Sequence, residues 1–172
     1  MAEELIEEVD LEGKTVAIHH KEELKERKFL HKVALVIPGG KRNSCIFSKR
    51  AKDKYPFPDM CVCAIGGKVS MGETPLQAAE RETKEEASVS LQLELVTSFA
   101  YNKEDYKALF YIFTTREETN IKVWKGDQRE VQYFQEFSLP QINCSIQENP
   151  RLFAPTFLAA LDAFVKALSK PS

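Results

Sequence analysis

Apolar and polar positions divide the chain into strand-like and helix-like stretches. Leu5 to Val9 and Thr15 to Ile18 read as two short strands around the turn Asp10-Leu11-Glu12-Gly13, and a charged helix is expected from about Lys21 to Lys28. Val33 to Ile37 is a continuous apolar run broken by Pro38-Gly39-Gly40. Cys45 to Ser48 resumes it, and the two segments are expected to form a central hairpin. Further strands are predicted at Cys61 to Ile65, Leu91 to Phe99, Ala108 to Phe113 and Val131 to Phe137. Asn149-Pro150 is a helix-start signal, followed by Phe157, Leu161, Phe164, Val165 and Leu168 at helical spacing, a stripe suited to core packing. Strands surrounding two or more helices predict an α/β protein, a three-layer α/β/α sandwich with a mixed sheet.

One more helix is written in the local signals. Thr74 is a good N-cap, Pro75 falls at the first helical position, and Gln77 completes a T-x-x-Q capping box. Leu76, Ala79, Thr83 and Ala87 form a small apolar stripe expected to face the core, leaving Glu82, Glu85 and Glu86 to face an opening. Those acids stand three and four residues apart, so their carboxylates crowd one face and repel each other. Hard oxygen ligands of this kind suit Mg²⁺, with Mn²⁺ able to substitute, and such ions commonly hold a phosphate chain. Gly66 and Gly67, after the strand-like run, are expected to let the backbone turn sharply and to offer a bare carbonyl to the ion.

Composition narrows the partner. At 172 residues the chain is most simply one domain with a core of its own. A net charge of −2 gives no electrostatic footprint for nucleic acid or an anionic membrane surface, so a small molecule is expected. The acidic start Met1-Ala2-Glu3-Glu4 does not resemble a secretory signal, and no stretch approaches the length of a membrane span, which points to the cytoplasm. Cys45, Cys61, Cys63 and Cys144 have neither C-x-x-C nor zinc spacing and are expected to be buried thiols. The oligomeric state is open, a homodimer included.

The segment from Gly67 to Val89 resembles the Nudix box, G-x5-E-x7-R-E-U-x-E-E-x-G-U with U aliphatic. Gly67, Glu73, Arg81, Glu82, Glu85, Glu86 and Val89 match it. Thr83 replaces the aliphatic residue inside the helix and Ser88 the glycine after it, so a less sharply turned helix end is expected. The resemblance implies one Nudix hydrolase domain over 1–172, with an N-terminal extension over 1–30, the box over 67–89 and a C-terminal helix over 150–169. It implies Mg²⁺-dependent attack of water on a phosphorus of a nucleoside diphosphate linked to another moiety. By position, Glu82, Glu85 and Glu86 would be metal ligands with the Gly67 carbonyl. Glu85 or Glu86 would alternatively be the base, with Arg81 beside them in the catalytic set. Arg81 and Glu73 would orient the helix and its acids.

Outside the box, Arg50 and Lys54 resemble the basic pair with which the isopentenyl-diphosphate isomerase-like branch grips a diphosphate, and the N-terminal extension also looks like that branch. Isomerisation itself is rejected. The isomerases carry a catalytic cysteine and a metal-binding histidine where this chain has Gly66 and Lys68. His31 matches one further histidine ligand, but the partner of that ligand is here Leu24. Glu130 is a candidate additional acid on a loop. Trp124 and Tyr101 are candidates for stacking on a base, and His19 and His20 are given no role beyond surface or core. A non-catalytic, nucleotide-binding regulatory domain is the alternative function, disfavoured because such domains usually lose box acids and none is lost here.

Overall fold

The computed structural model describes residues 4–170. Strands β1 (Leu5–Val9) and β2 (Thr15–His20) form the expected hairpin, with paired residues running from Leu5 and His20 to Val9 and Thr15. The charged segment after it is shorter than expected, one 3₁₀ turn over Lys21–Lys25 with no buried residue. Without an apolar face to bury, a short charged segment has little to prolong it into an α-helix.

Strand β3 (His31–Val36) is the centre of the larger sheet. It runs parallel to β8 (Lys107–Thr115), and antiparallel to β6 (Ile65–Lys68) along its other edge, where β1 also touches it at His31. β7 (Leu93–Asn102) closes the far side against β8, giving a mixed sheet in the order β2-β1-β3-β8-β7 with β6 also on β3. The continuous apolar run of β3 reflects this position, since a strand covered on both faces has no polar side to alternate with.

The expected hairpin between the two central runs does not form. β4 (Ser44–Arg50) enters a second sheet, in the order β5-β4-β9, with β5 (Cys61–Cys63) and β9 (Val131–Ser138). The links to β4 come from beyond the end of β3, where Gly39 pairs with Cys45, Gly40 N donates to Ser44 O at 2.8 Å and Ile46 N donates to Pro38 O at 3.0 Å. Both edges of each strand are taken by other partners. The run Cys61 to Ile65 likewise divides at Ala64, its first part joining the small sheet and its second the large one.

Helix α1 (Pro75–Ala87) covers one face through Ala78, Ala79 and Ala87, packed with Ala34, Val36 and Phe113. Leu76, expected on this face, is 39% exposed, and Ala78 is buried instead. On the other side α3 (Pro155–Leu168) sets Phe157, Leu161 and Phe164 against Ile37, Phe47 and Ile112. The expected start at Pro150 opens only a 3₁₀ turn over Pro150–Leu152, and α3 begins at Pro155. An unanticipated helix α2 (Leu139–Glu148) precedes it, capped by Ser138 with Gln141. The layers are therefore helix, sheets, helix. Cys45 and Cys63 are buried as expected, whereas Cys61 is only half-buried and Cys144 is exposed. Among the described residues no helix is long and apolar enough to cross a membrane.

Candidate active site

The N-terminus of α1 is built as its sequence signals. Thr74 Oγ1 accepts from Gln77 N at 3.2 Å while Gln77 Oε1 accepts from Thr74 N at 2.9 Å. Its other end differs from expectation. Ser88 turns as sharply as a glycine would, in the left-handed conformation at φ 55° and ψ 33°. Thr83 is accommodated in the core because its hydroxyl donates back to Ala79 O at 2.7 Å.

Arg81 ties the loop before the helix to the acids on it. Its Nε and Nη2 donate to the two carboxylate oxygens of Glu73 at 2.8 and 2.9 Å, Nη2 also reaches Lys68 O at 3.1 Å, and Nη1 donates to Glu82 at 2.7 Å. Glu85 lies at the edge of this reach, 3.5 Å from Nη1. Burial works against ionised Glu73, but the Arg81 fork and the Ser70 N–H outweigh it and hold its carboxyl below the usual range. Arg81 is correspondingly raised, first by Glu73.

The three helix acids occupy different environments. Glu85 is exposed, the Glu82 side chain is largely covered, and Glu86 is 6% exposed. The Glu86 carboxylate accepts from Gly66 N–H at 3.3 Å. Burial, and then the charge of Glu82, push its carboxyl well above the usual range. Glu82 is raised by burial too, with Arg81 opposing. Among the described residues no three His, Cys, Asp or Glu side chains already converge as a metal cage, because Glu82 is turned toward Arg81. The donor set nevertheless fits a hard divalent ion. Glu86 is a buried carboxylate without a bonded cation, and Gly67 has no side chain where one would collide with Glu82. Gly66 and Gly67 do not make the expected turn. Both lie in β6 and neither has a positive φ.

These groups open onto a cavity of about 1070 Å³. Glu82, Glu85 and Glu86 line it on the helix side, with Gly67, Arg81 and Glu130. Arg50 and Lys54 line it as well, Arg50 engaged by backbone carbonyls and Lys54 by a carboxylate. Arg50 Nε donates to Pro56 O at 2.7 Å and Nη2 to Tyr55 O at 3.3 Å, which pins the loop between them. Lys54 forms an ion pair with Glu130. Glu73 stands behind the site, supporting Arg81.

The aromatic candidates are elsewhere. Trp124 packs edge-on against Phe134 at 4.8 Å, and Tyr101 borders Tyr106 and Phe110; neither lines the cavity, whereas Tyr55, Phe57 and Tyr106 do. His19 bridges Glu8 and Glu23 over the Phe29 ring. Lys68 and Tyr106 are cavity residues that sequence reasoning did not assign. Lys68 sits inside the box between the glycines and the helix, but its enclosure is a property of the assembled sheets.

The sequence profile of the NUDIX domain matches residues 28–157. An uncharacterized Nudix hydrolase of Listeria innocua is 32% identical over 58% of this chain, the match spanning 62% of that relative's own length. An uncharacterized Nudix hydrolase of Listeria monocytogenes is 26% identical over 87% of this chain and 88% of its own. Among solved structures, DR0079 from Deinococcus radiodurans superposes with a TM-score of 0.73 at 17% identity, covering 85% of this chain and 90% of that one. With the domain profile covering most of its length and the box residues gathered around one cavity, the chain belongs to the Nudix hydrolase family.

Proposed function

We propose that the protein hydrolyses the diphosphate bond of a nucleoside diphosphate linked to another moiety, with Mg²⁺ held by Glu82, Glu85, Glu86 and the Gly67 carbonyl, and Mn²⁺ able to replace it. The observation that carries this reading is Glu86. It is a buried carboxylate facing a large cavity, with burial and Glu82 both opposing its charge. When bound, the ion supplies charge for the phosphate oxygens and acidifies a water. Arg81 holds Glu82 and the loop at Lys68 in place, so the acids are positioned before substrate arrives. Glu86, a carboxylate facing the cavity, is suited to take a proton from attacking water, and Glu85 is the exposed alternative. The cations across the cavity meet the non-reacting phosphate.

Isomerisation fits poorly. Cys63 is buried in the core and its thiol is pushed up to about 12 by burial, so it offers no thiolate. Retention of every box acid also speaks against a purely regulatory domain. The proposal places the protein in the cytoplasm, acting on a small molecule. A phosphate-release screen of a broad diphosphate library, with Mg²⁺ and with Mn²⁺ and with products resolved by mass, tests it. Metal-dependent cleavage of at least one nucleoside diphosphate derivative is expected, and no release with either ion would refute it.

A further inference from the structure

The cations around the cavity differ in how they are engaged. Lys21 pairs with Glu4 at 2.6 Å, Arg129 with Asp127 at 2.7 Å, and Lys54 with Glu130. Lys28 donates to Leu24 O at 2.5 Å. Lys68 lines the cavity half-buried and has no side-chain hydrogen bond or ion pair among the described residues.

Two more donors face the same space. The Tyr106 ring stacks on Phe110 at 6.2 Å with an interplanar angle of 10°, and its hydroxyl makes no hydrogen bond among the described residues. Arg50 commits Nε and Nη2 to neutral carbonyls and forms no ion pair among the described residues, leaving Nη1 without a protein partner while Glu86 and Glu130 lie near enough to favour its charge. Lys68, Arg50 and Tyr106 all line both the large cavity and a recess of about 120 Å³ that continues it between the sheets. Donors that line a cavity without protein acceptors are available to a ligand that supplies them, and the unpaired Lys68 ammonium beside the Arg50 guanidinium suits an anion.

We propose that Lys68, with Arg50 and Tyr106, forms the anion subsite that holds the non-reacting phosphate of a diphosphate substrate, with Lys68 in the place expected for Lys54. The inference rests on the diphosphate-hydrolase reading. Lys54 is already neutralised by Glu130, so binding a phosphate there would first break an ion pair. Lys68 has no such pair to break. It directly follows Gly67 on β6, so the subsite adjoins the acid helix and one diphosphate can engage both. An ammonium on a flexible stem acts as a point charge for whichever oxygen is presented, and Arg50 adds a fixed direction.

The test uses methylenediphosphonate, whose P–C–P link is not hydrolysed, titrated calorimetrically into the Mg²⁺-loaded full chain. Lys68→Met should weaken binding about tenfold or more, Lys54→Met should weaken it less, and Lys68→Arg should recover most of the affinity. Ligand-free Lys68→Met should melt no lower than the parent protein, because the Lys68 ammonium has no protein partner to lose, which separates lost binding from lost folding. Unchanged affinity in Lys68→Met, an equal or larger loss in Lys54→Met, or no binding by the parent protein would overturn the subsite. Kinetics on a cleaved substrate separates this from the hydrolase reading. Cleavage with KM unchanged in Lys68→Met removes the subsite and leaves the hydrolase. Lys68-dependent diphosphonate binding without cleavage of any diphosphate does the reverse.

Discussion

Gly67 and Glu82 occupy adjoining space that leaves no room for a side chain on the glycine. A Cβ built on Gly67 would lie 1.9 Å from Glu82 Oε1 and 2.1 Å from its carboxyl carbon. The strand and the acid helix therefore meet at a glycine because of close approach, with no left-handed backbone requirement.

Gly67→Ala tests that contact. The colliding atoms are the flexible end of Glu82, which can swing aside, so the fold should survive with a melting temperature within a few degrees of the parent. The displaced carboxylate should weaken apparent Mg²⁺ affinity by about tenfold or more, read from the metal dependence of activity and of melting. An unaltered metal titration would show that Glu82 does not serve the ion.

Glu86→Gln should separate stability from activity. Removing a buried, poorly compensated carboxylate should leave the metal-free protein as stable as before or more so. Loss of the ligand or base should lower kcat by roughly 10²-fold or more. Glu80→Gln on the exposed face of the same helix should change neither quantity. Similar kinetic losses in the two variants would remove the special role of Glu86.

His31 gives a pH dependence with a definite sign. Burial lowers it from 6.5 to about 4, against the Phe29 carbonyl that accepts from Nδ1, while Lys68 and Lys28 push it further down. The unfolded chain thus takes up a proton that the folded chain refuses. Its contribution to stability is complete above pH 6.5 and is lost as pH falls toward 4, amounting to about 3 kcal/mol. Urea unfolding of the parent and of His31→Phe at pH 7 and pH 4.5 reads it as a smaller acid destabilisation in the variant.

Ser88→Gly should stabilise the protein. A serine at φ 55° bears the left-handed strain that glycine escapes, so the substitution should add about 1 kcal/mol by denaturant unfolding with activity unchanged. A loss of stability would mean that the exposed Ser88 side chain makes a compensating contribution.

Elements whose signals are local were legible in the chain. The Thr74–Gln77 box and Pro75 start α1 where expected, and the β1–β2 hairpin, β7, β8 and β9 fall near their predicted places. The missed helix α2 also carried a local signal, the Ser138–Gln141 box with Pro140. Pairing of β3 with β4 was misjudged because a buried apolar run does not specify its neighbour. The parallel partner β8 lies far along the chain, and edge occupancy depends on strands that have not yet appeared at that point in the sequence.

The site divides in the same way. Spacing alone placed Glu82 on one face with Glu85 and Glu86 and brought Arg81 within reach of Glu85, because neighbours three and four residues apart on a helix meet whatever surrounds them, whereas the Arg81 bond to the adjacent Glu82 is a feature of the folded site. Packing of the sheets determined that Glu86 is buried while Glu85 is exposed, that Lys54 is matched by Glu130, and that Lys68 lines the cavity without a partner among the described residues. Charge type is written in the side chain, but the cost of that charge depends on solvent exclusion and on partners from distant segments, which only the tertiary structure supplies.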